Sequence, residues 1–256
     1  MAVIRSKDNP RVRRWQKLAR DGAARRAECR AIIEGEKLVE AWLLLRGSAV
    51  SVIVSETRHE RGGVPGSLKA KEPVVVSEAV MSAITELRTS RGIAAEVEVP
   101  VPAVSLAAAG SCVFLEGVQD AGNVGAILRN ACAFGVSDVV LGPGCADAWS
   151  PKVLRAGAGA HARLNVRTSD DLPASLAEFG GRVLVTVPRD GIALPEADLG
   201  GRTGWIFGSE GQGVSAQLAR HAQGRVRIPM SENAESLNVA AAAAVCLYEA
   251  SRRNRQ

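Results

Sequence analysis

Aromatic residues are scarce in this chain of 256 residues, with four Trp, one Tyr and four Phe. Long apolar runs are also missing: the best candidate, residues 239–247, is about half the ~20 residues of a membrane-spanning helix. The N-terminus lacks the apolar core of a signal peptide, so we expect a cytoplasmic protein. The composition, 46% hydrophobic and 23% charged, is typical of a globular protein and excludes a largely disordered chain.

Cysteine and histidine are few and scattered. The five Cys form no CxxC motif, and the three His do not stand at zinc-ligand spacing. We therefore expect no disulfide framework and no structural metal. The thiols are predicted to be free and to lie buried or half-buried in a reducing compartment.

Positive charge is concentrated at the N-terminus. Residues 1–37 carry eleven basic and five acidic side chains, a local charge of +6, although the whole chain has a net charge of only +5. Clustered Arg on a predicted helix suits a phosphate backbone, whose neutralisation releases counterions. The alternative is a solvated helix face. Trp15 is the one aromatic residue among these basic side chains, so the sequence does not predict that aromatic rings here stack on unpaired RNA bases. The candidate RNA-binding side chains are Arg11, Arg13, Arg14 and Lys17.

The first part of the chain alternates between predicted strands and helices. Helices are expected at 9–20, 36–45 and 77–85, and strands at 30–34, 50–54, 74–76 and 93–97. Asn9 is the expected N-cap of the first helix, with Pro10 at its first position. This pattern predicts a small α/β domain over residues 1–97. The prolines and the Ala run that follow predict a linker over residues 98–110.

Residues 111–256 alternate again, which predicts an α/β domain whose parallel sheet is covered on both faces. Strands are expected at 112–116, 139–141, 163–166, 182–187, 204–207 and 226–228. Helices are expected at 122–134, 151–157, 171–179, 215–221 and 237–252.

Three glycine-punctuated or polar stretches follow predicted strands in this second domain. In the first, LEGVQDAGNVGAILRNACAFG, Asn123 and Arg129 stand under two turns apart on one helix, where both can point toward the carboxyl edge of the sheet. The second, IFGSEGQGVS, places glycines around Glu210, which lets the main chain approach a ligand. In the third, Ser236 and Asn238 open an Ala-rich helix, and Ser236 could simply be its N-cap.

One further motif is rejected. Residues 157–162 fit the G-x-G-x-x-A nucleotide pattern, but they follow a helix-like segment, and no suitable acid follows on a second strand. A dinucleotide-dependent enzyme therefore remains only a competing hypothesis.

Together and in this order, the three stretches resemble the motifs of the SpoU (TrmH) family of RNA ribose 2′-O-methyltransferases, within the SPOUT superfamily. The resemblance covers residues 111–253, with SLNV at 236–239 intact. Residues 1–97 resemble, less specifically, the RNA-substrate-binding domain of members that modify ribosomal RNA, including the thiostrepton-resistance enzymes. The implied fold is a parallel-sheet domain with a C-terminal trefoil knot, and the implied assembly is a homodimer packed through the knot region and the small-residue face at 240–244.

The resemblance also implies a cofactor and a set of site residues. S-adenosylmethionine would be held mainly by main-chain groups at Gly208, Ile228 and Leu237. The implied catalytic residues are Arg129, Asn123, Glu210, Ser236 and Asn238. The implied cofactor-binding residues are Gly208, Glu210, Gly211, Gly213, Ile228, Met230, Ser236, Leu237 and Asn238, and Arg129 would also contact RNA.

Three residues, Glu232, Gly157 and Ala162, depart from the family pattern, so the resemblance does not define the local substrate contacts at these positions. The family proposal makes Arg129 the base, but arginine is a poor base, so activation of the hydroxyl by its charge is an equal alternative. Ribosomal RNA is the expected substrate. Transfer RNA, or a non-catalytic RNA-binding or ribosome-assembly role for the same fold, is the alternative.

Overall fold

The computed structural model describes residues 2–62, 72–85, 92–102, 104–231 and 235–254. Contacts divide the chain into two compact units. The first contains residues 1–100 and 149–162, and the second contains residues 101–148 and 163–256. Residues 149–162, which follow a strand of the second unit in the sequence, thus pack within the first unit.

The first unit contains a mixed sheet and short helices in its described residues. Its helices are α1 (Pro10–Arg20), α2 (Gly22–Glu28), α3 (Glu36–Arg46), α4 (Glu56–Glu60), α5 (Glu78–Ile84) and α7 (Pro151–Gly157). Its strands are β1 (Arg30–Glu34), β2 (Ser51–Ser55), β3 (Val74–Val76) and β4 (Ile93–Glu98), in the order β1-β4-β2-β3. The pairs β1–β4 and β2–β4 are antiparallel, whereas β2 and β3 are parallel.

Local signals explain why α1 forms at the predicted position. The side chain of Asn9 accepts a hydrogen bond from the main-chain N–H of Arg11, and Pro10 occupies the first turn. Val12, Trp15 and Leu18 lie on one face of α1 and are buried in the core of the unit. This arrangement leaves Arg11, Arg13 and Lys17 exposed on the outer face of α1.

The second unit is built on a seven-stranded parallel sheet within its described residues. The strands are β5 (Cys112–Glu116), β6 (Asp138–Leu141), β7 (Asn165–Thr168), β8 (Arg182–Thr186), β9 (Ile192–Ala193), β10 (Thr203–Gly208) and β11 (Gly224–Arg227). Their order is β7-β6-β5-β10-β8-β11-β9. The helices are α6 (Ala121–Ala133), α8 (Leu172–Phe179), α9 (Ala216–Ala219) and α10 (Val239–Arg253). The predicted parallel α/β class is confirmed.

Details of the structure correct several expectations. Helices α2 and α4 and strand β9 were missed because they are short and have little hydrophobic periodicity. Helix α10 begins after Asn238, whose side-chain oxygen accepts from the N–H groups of Ala240 and Ala241, so Asn238 and not Ser236 is the N-cap. Residues 157–162 begin at the last residue of α7 and do not follow a strand, which agrees with rejecting a dinucleotide site there.

The cysteines are free thiols, but not all of them are buried. Cys29 is exposed, contrary to expectation, because it forms the left-handed C-cap of the surface helix α2. Burial raises the pKa of the Cys246 thiol to about 12, so this thiol stays protonated and unreactive at neutral pH. The described residues contain no group of three or more His, Cys, Asp and Glu side chains that could hold a metal ion. None of the described helices combines the length and apolar character needed to cross a bilayer.

Candidate active site

A cleft of about 410 Å³ opens at the carboxyl end of the parallel sheet in the second unit. Its wall comes from the segments that follow β8, β10 and β11 and from the start of α10. Ligands of open α/β sheets bind at this edge, in clefts of roughly this size. The lining includes these residues singled out from the sequence: Gly208, Glu210, Gly211, Gly213, Ile228, Met230, Ser236 and Leu237.

The loop after β10 forms one wall of the cleft, and glycine is required at its base. The N–H of Gly213 donates to the carbonyl oxygen of Ser209 at 2.9 Å, which closes the loop into a tight hairpin. A Cβ atom on Gly208 would collide with the main chain of Gly213, whose φ of +67° also favours glycine. These glycines therefore let the main chain turn back over the end of β10.

Among the described residues that line the cleft, the charged side chains are the carboxylates of Glu210 and Glu235. Ile228, Met230 and Leu237 add apolar atoms to the lining. An acidic, glycine-walled cleft with apolar patches suits a ligand that combines a cationic centre with a flat or aliphatic body. S-adenosylmethionine, with a sulfonium, an ammonium group and an adenine ring, fits this set of residues.

Three polar residues singled out from the sequence meet beside the cleft. The side-chain N–H of Asn123 donates to the carboxylate of Glu210, and that of Asn238 donates to the Asn123 carbonyl oxygen at 3.0 Å. Asp120 caps α6 by accepting from the main-chain N–H of Asn123 at 2.9 Å. The chain of bonds joins the start of α6, the glycine loop and the start of α10. Asn238 acts in this network and is not part of the cleft lining.

Arg129 does not join this network. Its side chain is exposed on α6, and it has no hydrogen-bond or ion-pair partner among the residues that the structure describes. Six residues of helix rotate a side chain by about 240°, so Asn123 and Arg129 face different directions. Asn130, seven residues after Asn123, shares its face instead and donates to the carbonyl oxygen of Ala240 at 3.2 Å.

Some residues of the site were not singled out from the sequence. Thr186, Val187 and Pro188 line the cleft where β8 ends, and the rule that ligands bind at the carboxyl ends of strands could have identified them. Asn130 had no such signal, because its role depends on the packing of α6 against α10. Glu232 lies outside the described residues. Gly157 and Ala162 are buried within the first unit.

The predicted RNA-binding side chains of α1 differ in their surroundings. Arg11, Arg13 and Lys17 are exposed, and the Arg11 guanidinium lies 5.2 Å from the centre of the Trp15 ring. Arg13 pairs with the exposed Asp8. Arg14 instead forms ion pairs with Glu28 at 2.6 Å and with the buried Glu96 at 2.7 Å. Arg14 is therefore engaged within the fold.

The fold and the cleft define an α/β protein whose parallel sheet has, at its carboxyl edge, a cleft of a size suited to a small ligand, and whose first unit carries a basic N-terminal segment. Residues 110–248 match the model of the SpoU rRNA methylase family, and residues 9–95 match an MRM3-like substrate binding domain. The chain is 36% identical over 253 residues to the 23S rRNA (guanosine(2553)-2′-O)-methyltransferase RlmP of Bacillus subtilis, covering 97% of this chain and 98% of that protein. The chain belongs to the SpoU family, as the sequence motifs indicated.

Two solved structures agree with this assignment. One, described as an RNA methyltransferase of the TrmH family from Porphyromonas gingivalis, is 32% identical with a TM-score of 0.81, covering 96% of this chain and 99% of that one. The other, an S-adenosylmethionine-bound rRNA methyltransferase from Sinorhizobium meliloti, is 25% identical with a TM-score of 0.82, covering 98% of each chain.

Proposed function

We propose that the protein transfers a methyl group from S-adenosylmethionine to a ribose 2′-hydroxyl of ribosomal RNA. The observation that carries this proposal is the acidic, glycine-walled cleft at the carboxyl edge of the parallel sheet. The names of the relatives support the same reaction and substrate class.

The cofactor supplies an electrophilic methyl group, and this chain's residues hold it. Main-chain groups of Gly208, Ile228 and Leu237 are the proposed contacts, with Glu210 close to the cationic part. The bond from Asn123 fixes the Glu210 carboxylate, and the bond from Asn238 fixes Asn123 in turn. This preorganisation limits the reorganisation needed when substrates bind.

We assign Arg129 to the RNA. A guanidinium group keeps its proton at neutral pH, so we propose that the charge of Arg129 anchors phosphate and stabilises the hydroxyl oxygen as the hydroxyl proton passes to water. Because Arg129 is exposed and does not line the cleft, its substitution should affect RNA chemistry more than cofactor binding.

Methyl transfer from labelled S-adenosylmethionine tests the proposal directly. Purified protein is incubated with unmodified ribosomal RNA or transfer RNA, and the digested nucleosides are separated. We expect label in 2′-O-methylnucleosides from ribosomal RNA. Label found only in transfer RNA would show that transfer RNA, and not ribosomal RNA, is the substrate. Label found on a base would contradict methylation of the ribose hydroxyl. Calorimetry with S-adenosylmethionine and NAD separates this proposal from a dinucleotide-dependent enzyme, and binding of RNA without transfer would indicate a non-catalytic factor.

The division of labour between domains is part of the proposal: residues 1–97 bind RNA, and residues 98–110 are the linker. Residues 111–256, apart from the segment 149–162 that packs within the first unit, form the knotted catalytic domain, in the cytoplasm. A variant with Arg11, Arg13 and Lys17 changed to Ala should bind RNA more weakly. The dependence of its affinity on salt should be shallower by about 0.7–0.9 in the log–log slope for each phosphate that the variant no longer neutralises. Fluorescence anisotropy at several salt concentrations measures both effects.

Arg14 is left intact in this variant because it pairs with buried Glu96. The matched control replaces Arg46 and Arg61, which are also exposed in the first unit. An unchanged salt slope in the α1 variant would mean that this cluster is only a solvated surface. An equal loss in the control would mean that the binding is diffuse.

We also propose a homodimer, and the structure changes the face expected to carry it. Ala240 and Ala243 are buried within the chain, whereas Ala241, Val245 and Tyr248 form an exposed stripe along α10. Val245→Arg should convert the dimer into a monomer, measured by light scattering at micromolar concentration. Ile192→Arg, at an exposed apolar residue outside α10, is the control and should stay dimeric. A monomeric wild-type protein would contradict the assembly.

A further inference from the structure

The glycine loop of the cleft is held by a carboxylate that does not line the cleft. Glu116 ends β5, and in the parallel pair of β5 and β10 it stands in register with Gly208, where the loop begins. Its two carboxylate oxygens accept from Ser215, where the loop ends: one from the main-chain N–H at 2.7 Å and the other from the hydroxyl at 2.8 Å. One residue therefore lies beside the entry of the loop and binds its exit.

The other hydrogen bonds of the loop have different consequences. The bonds from Gly213 N–H to Ser209 and from Gln212 N–H to the Ser209 hydroxyl lie within the loop, so they fix its shape and not its position. The bond between Asn123 and Glu210 holds the tip. Among these hydrogen bonds, those to Glu116 alone join the far end of the loop to the sheet.

Ser215 is well suited to receive this anchor. Its hydroxyl oxygen accepts from the N–H of Leu218 at 3.1 Å and so caps α9, while the hydroxyl proton and the main-chain N–H both point to Glu116. Hydrogen bonds to an ionised carboxylate are about twice as strong as neutral ones. The loop exit is thus fixed by two such bonds to a half-buried side chain.

We infer that Glu116 is a positioning residue that sets the glycine loop against the cleft and thereby determines the affinity for S-adenosylmethionine. This inference rests on the proposed function for the identity of the ligand. Glu116 and Ser215 do not line the cleft, so their effect must pass through residues 208–214, which do.

The test compares Glu116→Ala, Glu116→Gln and Ser215→Ala in the full-length protein. Glu116→Ala should weaken S-adenosylmethionine binding by about tenfold or more in calorimetry, since two charge-assisted bonds are removed. It should raise KM for the cofactor and leave KM for RNA nearly unchanged. Ser215→Ala keeps the hydrogen bond from the main-chain N–H to Glu116, so its affinity for S-adenosylmethionine should lie between those of Glu116→Ala and wild type. Glu116→Gln should restore most of the affinity, because its amide oxygen can accept from the N–H and its amino group can donate to the hydroxyl.

The matched control is Glu178→Ala. The Glu178 carboxylate also accepts from a main-chain N–H, that of Leu106 at 2.8 Å, but neither residue lines the cleft or belongs to the loop. The Glu178→Ala substitution should leave the affinity for S-adenosylmethionine unchanged, even if it lowers the melting temperature. Equal weakening by Glu116→Ala and Glu178→Ala would reduce Glu116 to a general structural role and overturn the inference.

Hydrogen exchange without cofactor separates this inference from the proposed function. The amide groups of residues 211–215 should exchange faster in Glu116→Ala than in wild type, whereas those of β10 should not. If exchange and affinity match wild type, the anchoring inference fails although the proposed function stands. If wild-type protein does not bind S-adenosylmethionine, the proposed function fails, and the inference that Glu116 determines the affinity for this cofactor fails as well.

Discussion

Arg129→Ala should reduce kcat for methyl transfer by about a hundredfold or more, the scale of losing one transition-state donor. The dissociation constant for S-adenosylmethionine should stay within about twofold of wild type. A loss of about 1.4 kcal/mol in binding free energy would instead raise this constant tenfold. The physical reason is its position: Arg129 is exposed, has no partner among the described residues and does not line the cleft. Its removal therefore breaks no interaction that holds the fold or the cofactor wall. Single-turnover kinetics and calorimetry measure the two quantities separately.

Two companion variants sharpen this prediction. Arg129→Lys should also lose methyl-transfer activity, because a compact ammonium lacks the planar pair of donors that a guanidinium offers to phosphate or oxygen. Arg225→Ala, at another exposed arginine of the same unit, should keep near-normal turnover. An Arg129→Ala enzyme that turns over normally would remove this residue from the mechanism. A large loss of cofactor affinity would place it at the cleft instead.

Arg14→Ala should lower the free energy of unfolding by about 2–3 kcal/mol, below the full cost of breaking a buried pair because Arg14 is itself half-exposed. The Glu96 carboxylate is buried, pairs with Arg14 at 2.7 Å and accepts from the indole N–H of Trp15 at 2.9 Å. Removing the guanidinium leaves this carboxylate without its cation in the core of the first unit. Urea denaturation followed by Trp fluorescence gives the change.

The neighbouring arginine is the control for this effect. Arg13 pairs with the exposed Asp8, and an exposed pair contributes little, so Arg13→Ala should change stability by about 0.5 kcal/mol or less. Adding Glu96→Gln to Arg14→Ala should recover part of the loss, because an amide removes the uncompensated charge and can still accept from Trp15. Equal stability of the two single variants would show that the Arg14–Glu96 pair contributes nothing.

Elements with strong local signals could be predicted from the sequence. The caps at Asn9 and Ser77, the glycine that ends α3 and the Val-rich strand β3 all depend on neighbouring residues. The parallel class followed from the strand and helix alternation. The three motifs led to the cleft because parallel strands bring their carboxyl ends to one edge.

Contacts between distant segments could not be predicted. Residues 149–162 pack in the first unit, where Arg155 pairs with the buried Glu34 and Trp149 lies edge-on to Trp42. No local pattern encodes this placement. It also means that a chain beginning near residue 98 would leave Arg155 and Trp149 without these partners, so point variants of α1 test RNA binding more cleanly than truncation.

The link between Glu116 and Ser215 spans 99 residues of sequence and depends on strand register. Likewise, Asn238 was identified as a polar site residue, but its two roles, capping α10 and orienting Asn123, appear only once α6 and α10 are packed. The sequence predicted that these polar side chains lie near strand ends. It could not predict their hydrogen-bond partners, because these depend on how the helices and strands pack.

We propose above all that this chain methylates a ribose 2′-hydroxyl in RNA. The most direct test maps 2′-O-methyl groups across total RNA from cells with the gene, without it, and complemented with wild type or the Arg129→Ala variant. We expect that a 2′-O-methyl group of ribosomal RNA is missing from cells without the gene, returns when the wild-type gene is restored and does not return with the Arg129→Ala variant. An identical map in cells with and without the gene, or a methyl group restored by Arg129→Ala, would contradict it.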